Sequence, residues 1–430
     1  MYLHNTGVTR IKKTKTGIVV HNTHSNKNFR INEDLLRVFK AARGNLTYEK
    51  ALYESTGSIE LNPIFENTIQ DFISKGVFGL SPMPKEESVI FREDMSEYPL
   101  DMVYFEPTGK CNLTCIHCFA QNSDMKEKMP EMIKEEAFAT ISSIDKKGVM
   151  EVCLTGGEIM CHPNALEIMS EIKSKGIKFG ILTNGMSFND EKIQRLAGLK
   201  PSFIAVSLDS HKEEVHNYIR NGNAFSLTTR NIKAMVEAKL TPRVNYTLFA
   251  GLNDSSKDIK DYLEFVSSLG IKKGKITFDE FCPEGRGSTL SDFLVDEKIT
   301  IRKIKEAYND VFGVDLDDIK SMMPEGSFCG VGIDVCCIKP SGRITPCPAL
   351  YGGRYDLGHM SELDNVWKDS EMLNFLRRKE YLEKGKCGTC ESLESCLGGC
   401  RAKAMTFNGS LDSHDPWMCA YCGEDDKNYI

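Results

Sequence analysis

The apolar positions of the chain fall into three stretches with different rhythms. In the first 80 residues, "GIVVHN" and "NFRIN" are short β-type runs, and the turn-rich "THSNK" between them predicts a hairpin. Leu35, Val38, Phe39 and Ala42 then recur at helical spacing behind a candidate cap at Asn32, and "RGN" stops that helix. A second helix is expected after Thr47, and Phe65, Ile69, Phe72 and Ile73 mark a third, closed by Gly76. Residues 81–99, "SPMPKEESVIFREDMSEYP", are rich in Pro and charge and read as a linker.

From Leu100 the pattern becomes strand, helix, strand. Candidate strands are 102–106, 150–155, 179–183, 203–208, 243–248 and 275–278. Between them lie amphipathic segments such as Ala165, Ile168, Met169, Ile172 and Ile259, Tyr262, Leu263, Val266. This alternation builds a parallel sheet whose chemistry gathers at the C-terminal strand ends. The fold class is therefore α/β. Six units are too few for a closed eight-strand barrel, so residues 100–315 are expected to form a partial (β/α)6 TIM-type barrel, with a mouth wide enough for a large substrate. The hairpin and three helices of residues 1–80 have a winged-helix-like outline. Beyond residue 316 periodicity fades and cysteines accumulate, so residues 316–430 form a third unit that something other than a large core must hold.

Composition narrows the function classes. A chain of 430 residues exceeds one hydrophobic core, and 41% hydrophobic with 27% charged residues is ordinary for a soluble globular protein. No apolar run reaches about 18 residues, and "MYLHNTGVTRIKKTKTG" lacks the basic-then-apolar order of a signal peptide. A cytoplasmic protein without a membrane partner is expected, and there 16 cysteines argue for metal or cluster ligation over disulfides. The net charge of −7 hides an asymmetry: residues 1–43 carry nine Lys/Arg against Glu33 and Asp34. That bias suits either an acidic partner or a solvated basic face.

The chemistry begins at "CNLTCIHC". Cys111, Cys115 and Cys118 follow directly on a predicted strand. Three thiolates can hold three irons of a four-iron cubane and leave the fourth open, as a catalytic metal requires. The other reading is a zinc knuckle that borrows a ligand such as His117. The CxxxCxxC spacing resembles the radical S-adenosylmethionine (SAM) enzymes, whose open iron is chelated by the amino and carboxylate groups of SAM. Reductive cleavage there yields a 5′-deoxyadenosyl radical that abstracts hydrogen, and the resemblance implies an external electron donor of the flavodoxin or ferredoxin type. The sequence departs from the family at His117, where an aromatic residue is common; Phe119 follows it. By the same resemblance, Gly156, Gly157 and Glu158 of "TGGE" edge the methionine amino group. Thr183 and Asn184 of "LTNG", with Ser207 and Asp209 of "SLDS", would touch ribose and carboxylate. Arg220 of "HNYIRNG" resembles the arginine that pairs with the carboxylate, against the plain reading of a surface helix arginine.

The C-terminal cysteines are ordered. After Cys329 come Gly342, 13 positions on, Cys347, then Cys387, Cys390, Cys396 and Cys400 in "CGTCESLESCLGGC", and Cys419. This arrangement resembles the SPASM extension of the same enzymes and implies two auxiliary [4Fe-4S] clusters, three clusters in all. By resemblance one takes Cys387, Cys390, Cys396 and Cys419, with Cys422 as a substitute for Cys419, and the other takes Cys329, Cys347 and Cys400. Cys336 and Cys337 are adjacent on a predicted strand and point to opposite faces, so at most one supplies a fourth ligand. If neither does, that cluster keeps an open iron. Cys153, Cys161 and Cys282 read as packing residues. Asp279, Glu280 and Arg286 in "FDEFCPEGRG" sit after the sixth strand, where substrate belongs, although acids at strand ends are common solvated residues.

Among SPASM enzymes, a hairpin and three-helix module resembles the element that recognises leader peptides, which add as a strand to an exposed sheet edge. The resemblance then implies a maturase whose partner is a ribosomally made precursor peptide held by its leader, like the sactipeptide and ranthipeptide thioether synthases. Thioether formation comes first, with carbon–carbon or carbon–oxygen crosslinking behind it. A radical domain with two extra clusters has little use for DNA, so no nucleic-acid partner is expected, although basic winged helices often bind nucleic acid. The rivals are a sulfatase-type formylglycine-forming or cofactor-precursor-modifying enzyme and a DNA-binding iron–sulfur regulator.

Overall fold

The computed structural model describes residues 1–58, 63–85, 88–119, 130–314, 329–350, 352–383 and 385–422. The first module contains strands β1 (Tyr2–Asn5), β2 (Thr9–Thr14), β3 (Gly17–Asn22), β4 (Lys27–Ile31), β5 (Arg43–Thr47), β6 (Phe78–Ser81) and β7 (Val89–Asp94), with helices Glu33–Ala41, Tyr48–Thr56 and Pro63–Ser74. They form two sheets, ordered β5–β1–β6 and β4–β3–β2–β7. The expected hairpin is β3–β4. Asn32 caps the first helix by accepting from the Leu35 amide at 2.9 Å, and Thr47 caps the second. Leu3, Val20, Val38, Phe39, Phe72 and Phe78 close the core between sheets and helices.

Two expectations change here. Part of the stretch read as a linker is strand β7, paired in parallel with the whole of β2 from Thr9↔Val89 to Thr14↔Asp94. Val89 and Phe91 pack on the module's core. A strand whose partner lies 80 residues away shows little in local composition dominated by Pro and charge. Part of the basic bias is also taken up within the chain. Arg10, without exposure, pairs with Asp145 at 2.5 Å, and Arg92 reaches the other Asp145 oxygen at 2.7 Å. Buried Lys12 pairs with Asp101 at 2.5 Å and donates to the Leu100 carbonyl. Lys13 pairs with Glu33, and Arg37 with Asp34. The first two sets bolt the module to the next domain.

That domain is a sheet of nine strands. β8 (Met102–Phe105), β9 (Glu151–Leu154), β10 (Lys178–Thr183), β11 (Phe203–Ser207), β12 (Arg243–Leu248) and β13 (Ile276–Glu280) run parallel in chain order. These are the six expected strands. β14 (Val335–Ile338) adds in parallel outside β8, followed by antiparallel β15 (Arg343–Thr345) and β16 (Gly358–His359). The C-terminal segment is thus stitched into the barrel sheet. Helices such as Ala165–Ser174, Phe225–Glu237 and Ser256–Ser268 bury their apolar stripes on one face, where Val103, Phe105, Leu154, Ile181, Val206 and Val244 meet Ile168, Ile172, Ile232 and Leu263. The boundary expected at residue 316 lies outside the described residues. No described helix is long and apolar enough to cross a membrane.

Candidate functional site

The cysteine loop leaves the C-terminal end of β8 and is braced from both sides. On one side the Gly157 amide donates to the Thr108 carbonyl at 2.9 Å and the Glu158 amide to the Lys110 carbonyl at 2.8 Å. A Cβ on Gly156, whose φ is +118°, would lie 2.3 Å from the Thr108 oxygen, and one on Gly157 would lie 2.3 Å from the Lys110 oxygen. The close approach that demands glycine is therefore to the cysteine loop's own backbone. On the other side Arg286 donates through Nε to the Cys115 carbonyl at 3.0 Å and through its amide to the Cys118 carbonyl at 3.1 Å. Arg286, expected among substrate-facing groups, clamps the loop.

Several residues expected to meet SAM are engaged with the protein. The Glu158 carboxylate, 2% exposed, accepts from Thr183 Oγ1 and the Asn184 amide, both at 2.7 Å, and from the Met160 amide at 3.0 Å. Burial pushes its pKa up against these donors. It joins the end of β9 to the end of β10. Asn184 Nδ2 donates to Asn112 Oδ1 at 2.7 Å and lies 3.9 Å from the Cys111 sulfur. Ser207 stays half-buried at the end of β11. Asp209, without exposure, holds Arg220 through Nε at 2.6 Å and Nη2 at 2.9 Å. Burial opposes its charge, but Arg220 outweighs burial and keeps the carboxyl low. Arg220 is no surface arginine: it is 7% exposed, and its Nη1 donates to the Cys115 sulfur at 3.7 Å. The His117 ring packs edge-on against Phe249 with centroids 5.3 Å apart, and burial pushes its pKa down to about 3. It is neutral and fills the place of the aromatic residue.

Cys111, Cys115 and Cys118 share one patch with Leu113, Met186 and Ala224. Three thiols, a fixed backbone and a guanidinium aimed at one sulfur suit an anionic cluster. Among the described residues no three His, Cys, Asp or Glu close on a point that one ion could fill. A cubane spaces its thiolates more widely than a single ion does.

The C-terminal cysteines form two groups. Cys387, Cys390, Cys396 and Cys419 line one small pocket with Leu393 and His414. Cys422 hydrogen-bonds Cys396 and holds it down to about 7. Cys347 packs with Cys329 and Cys400, and the Leu350 amide donates to its sulfur at 3.3 Å. Burial first, then the neighbouring Cys329, pushes Cys347 up to about 12 and Cys400 to about 11. Such thiols favour the thiolate only beside a cation or metal. Cys336, in register with Val103, is locked in the apolar layer between sheet and helices. Cys337, in register with Tyr104, lies on the opposite face, 3.5 Å from Glu106 Oε1, with Cys347 among its neighbours. Cys336→Ala is accordingly expected to keep its full iron count by chemical assay, and loss of cluster iron would contradict this placement.

Asn112 and the Asp209–Arg220 pair were not legible as such. Asn112 sits inside the cysteine motif, which was its available signal, whereas Asp209 and Arg220 were each visible without their pairing.

Residues 105–266 match the radical SAM superfamily and residues 329–391 match the SPASM iron–sulfur cluster-binding domain. The chain is a radical SAM enzyme with a SPASM domain. Such an enzyme works with SAM and [4Fe-4S] clusters. This radical SAM chain is 29% identical over 332 residues to the antilisterial bacteriocin subtilosin biosynthesis protein AlbA of Bacillus subtilis, covering 73% of this chain and 70% of AlbA. It is 26% identical over 357 residues to the AdoMet-dependent heme synthase of Nitratidesulfovibrio vulgaris, covering 74% of this chain and 92% of that enzyme. Its fold matches Streptococcus suis SuiB bound to precursor peptide SuiA with a TM-score of 0.67 at 16% identity, over 97% of this chain and 99% of SuiB.

Proposed function

We propose that this radical SAM enzyme crosslinks a ribosomally made precursor peptide, most readily by forming a thioether. The observation that carries the reading is the N-terminal module: it is bolted to the barrel, and the fold match to a peptide-bound enzyme extends over 97% of the chain. The heme synthase and AlbA alignments cover nearly equal shares of this chain, 74% and 73%, so the choice rests on the N-terminal module, for which a heme-type substrate gives no use.

In this reading Cys111, Cys115 and Cys118 hold the SAM-binding cluster, with Arg220 donating to Cys115 and Arg286 fixing the loop. SAM bound there supplies the carbon-centred radical that takes a hydrogen atom from the peptide. Gly156, Gly157 and Glu158 act by shaping the loop, and Thr183, Asn184 and Ser207 edge the cofactor. Cys387, Cys390, Cys396 and Cys419 hold one auxiliary cluster; Cys329, Cys347 and Cys400 hold the other. A flavodoxin- or ferredoxin-type protein delivers electrons. The leader adds as a strand to an open edge of the first module, where main-chain hydrogen bonds give affinity.

The test is co-expression with the short reading frame nearest to the enzyme's own that encodes a cysteine-containing peptide. Mass spectrometry is expected to find the peptide two hydrogens lighter per crosslink, and the same peptide without its leader unchanged. An unmodified full-length peptide alongside steady 5′-deoxyadenosine release would sink the reading.

A further inference from the structure

Glu280 is the last residue of β13, at the same end of the sheet as the cysteine loop. The next residue, Phe281, stacks on Phe249 at 5.0 Å, and Phe249 in turn carries His117. From the opposite side comes Lys403, on the helix Arg401–Asn408 that starts directly after Cys400. Its ammonium meets Glu280 Oε2 at 2.7 Å and Asp279 at 3.5 Å. The carboxylate therefore lies between the wall of the radical loop and the group formed by Cys329, Cys347 and Cys400. Its other oxygen, Oε1, is buried without a hydrogen-bond partner. Burying an acceptor without a partner forfeits its hydration, so such atoms call for an explanation.

We propose that Glu280 is the proton acceptor for the substrate group that becomes joined to the radical-bearing carbon. The inference rests on the crosslinking function above and names the base that this function requires. Joining a carbon to an X–H group removes two hydrogens. The one on carbon leaves as an atom. The X–H bond breaks heterolytically: its proton goes to Glu280 Oε1, and its electron pair stays on X and enters the new C–X bond. The reaction leaves one surplus electron, for which an iron–sulfur cluster held by the C-terminal cysteines would be the acceptor.

The surroundings suit that role. The charged and titratable groups facing Glu280 are Lys403, Asp279 and Cys282, with Asp415 beyond Lys403. Burial pushes the Glu280 carboxyl up to about 7, against the pull of Lys403. Burial also works against the Lys403 ammonium, but Asp279 and Glu280 outweigh it and keep it protonated. Lys403 thus stays a fixed cation while Glu280 exchanges its proton near neutrality, where a general base is most effective. A plain structural ion pair would keep both members charged through that range.

The experiment uses the full-length, anaerobically reconstituted enzyme with SAM, dithionite and the precursor peptide from the co-expression test. Glu280→Gln is expected to keep the wild-type iron content but to lower crosslinked peptide per 5′-deoxyadenosine roughly 10²-fold or more. Glu280→Asp restores part of it. Wild-type product per 5′-deoxyadenosine falls as pH drops through about 7, and this dependence disappears in Glu280→Gln. A wild-type yield in Glu280→Gln overturns the proposal, as does loss of iron and SAM cleavage together, which would mark a structural role. If no peptide is modified even by the wild type, the maturase reading fails, and the infrared difference between wild type and Glu280→Gln still decides the proton-holding claim. A carboxyl band titrating near neutral pH supports it; one titrating in the ordinary carboxylate range overturns it.

Discussion

Replacing Cys111, Cys115 and Cys118 together by Ala is expected to remove about four of about 12 irons per chain and to abolish SAM cleavage. The effect is this selective because the loop is held by its backbone. Amides of Gly157, Glu158 and Arg286 bind the carbonyls of Thr108, Lys110 and Cys118, and none of these contacts involves a sulfur. The barrel should therefore survive, and the two C-terminal thiol groups, which lie on other segments, should retain the remaining iron. Iron assay, electron paramagnetic resonance and quantified 5′-deoxyadenosine measure the outcome. Full iron in the triple variant, or cleavage persisting without the three cysteines, would refute the assignment.

Arg220→Ala is expected to give the next largest effect. The Asp209 carboxylate has no exposure, and truncation removes both of its contacts to the guanidinium. An ion left buried and unpaired typically costs 3–5 kcal/mol, about the scale of the destabilisation expected in anaerobic denaturant titrations. SAM cleavage should fall about 10- to 100-fold as well, because Cys115 loses its charged donor. Arg220→Lys restores charge without the two-pronged geometry and should fall between the two. If Arg220→Ala were as stable as the wild type, Asp209 would have another counter-charge and the pair would not be what holds this corner.

What the sequence made visible follows from where the information lies. The six parallel strands were legible from apolar residues set in runs such as "FIAV" or in alternation as in "RVNYTL", between amphipathic helical stretches. The first module's first two helices were legible because Asn32 and Thr47 are side-chain caps acting over three residues, and the third from the helical spacing of Phe65, Ile69, Phe72 and Ile73. β7 was not, since its partner β2 is distant and its own composition argues for a linker. The motifs correctly marked the strand ends but not the partner each side chain meets there. Glu158 and Asp209 sit where a cofactor was expected, yet their carboxylates are taken by Thr183, Asn184 and Arg220. The Glu280–Lys403 pair joins positions 123 residues apart, and no local pattern signals it. The adjacency of Cys336 and Cys337 did carry its meaning, because strand alternation alone places them on opposite faces.

Under the proposed function, the bolts of Arg10 and Arg92 to Asp145, and of Lys12 to Asp101, would make the first module one end of a ruler. A module on a loose tether would let the tail of a bound peptide wander, and many residues would take turns at the barrel mouth. Here the anchoring edge and the mouth keep a fixed separation, and an extended chain spans at most about 3.3–3.6 Å per residue. Position along the peptide is then measured in residues from the leader. Lengthening the peptide between leader and core would move the modified residue by the number of residues inserted, whereas loosening the bolts would blur it over its neighbours.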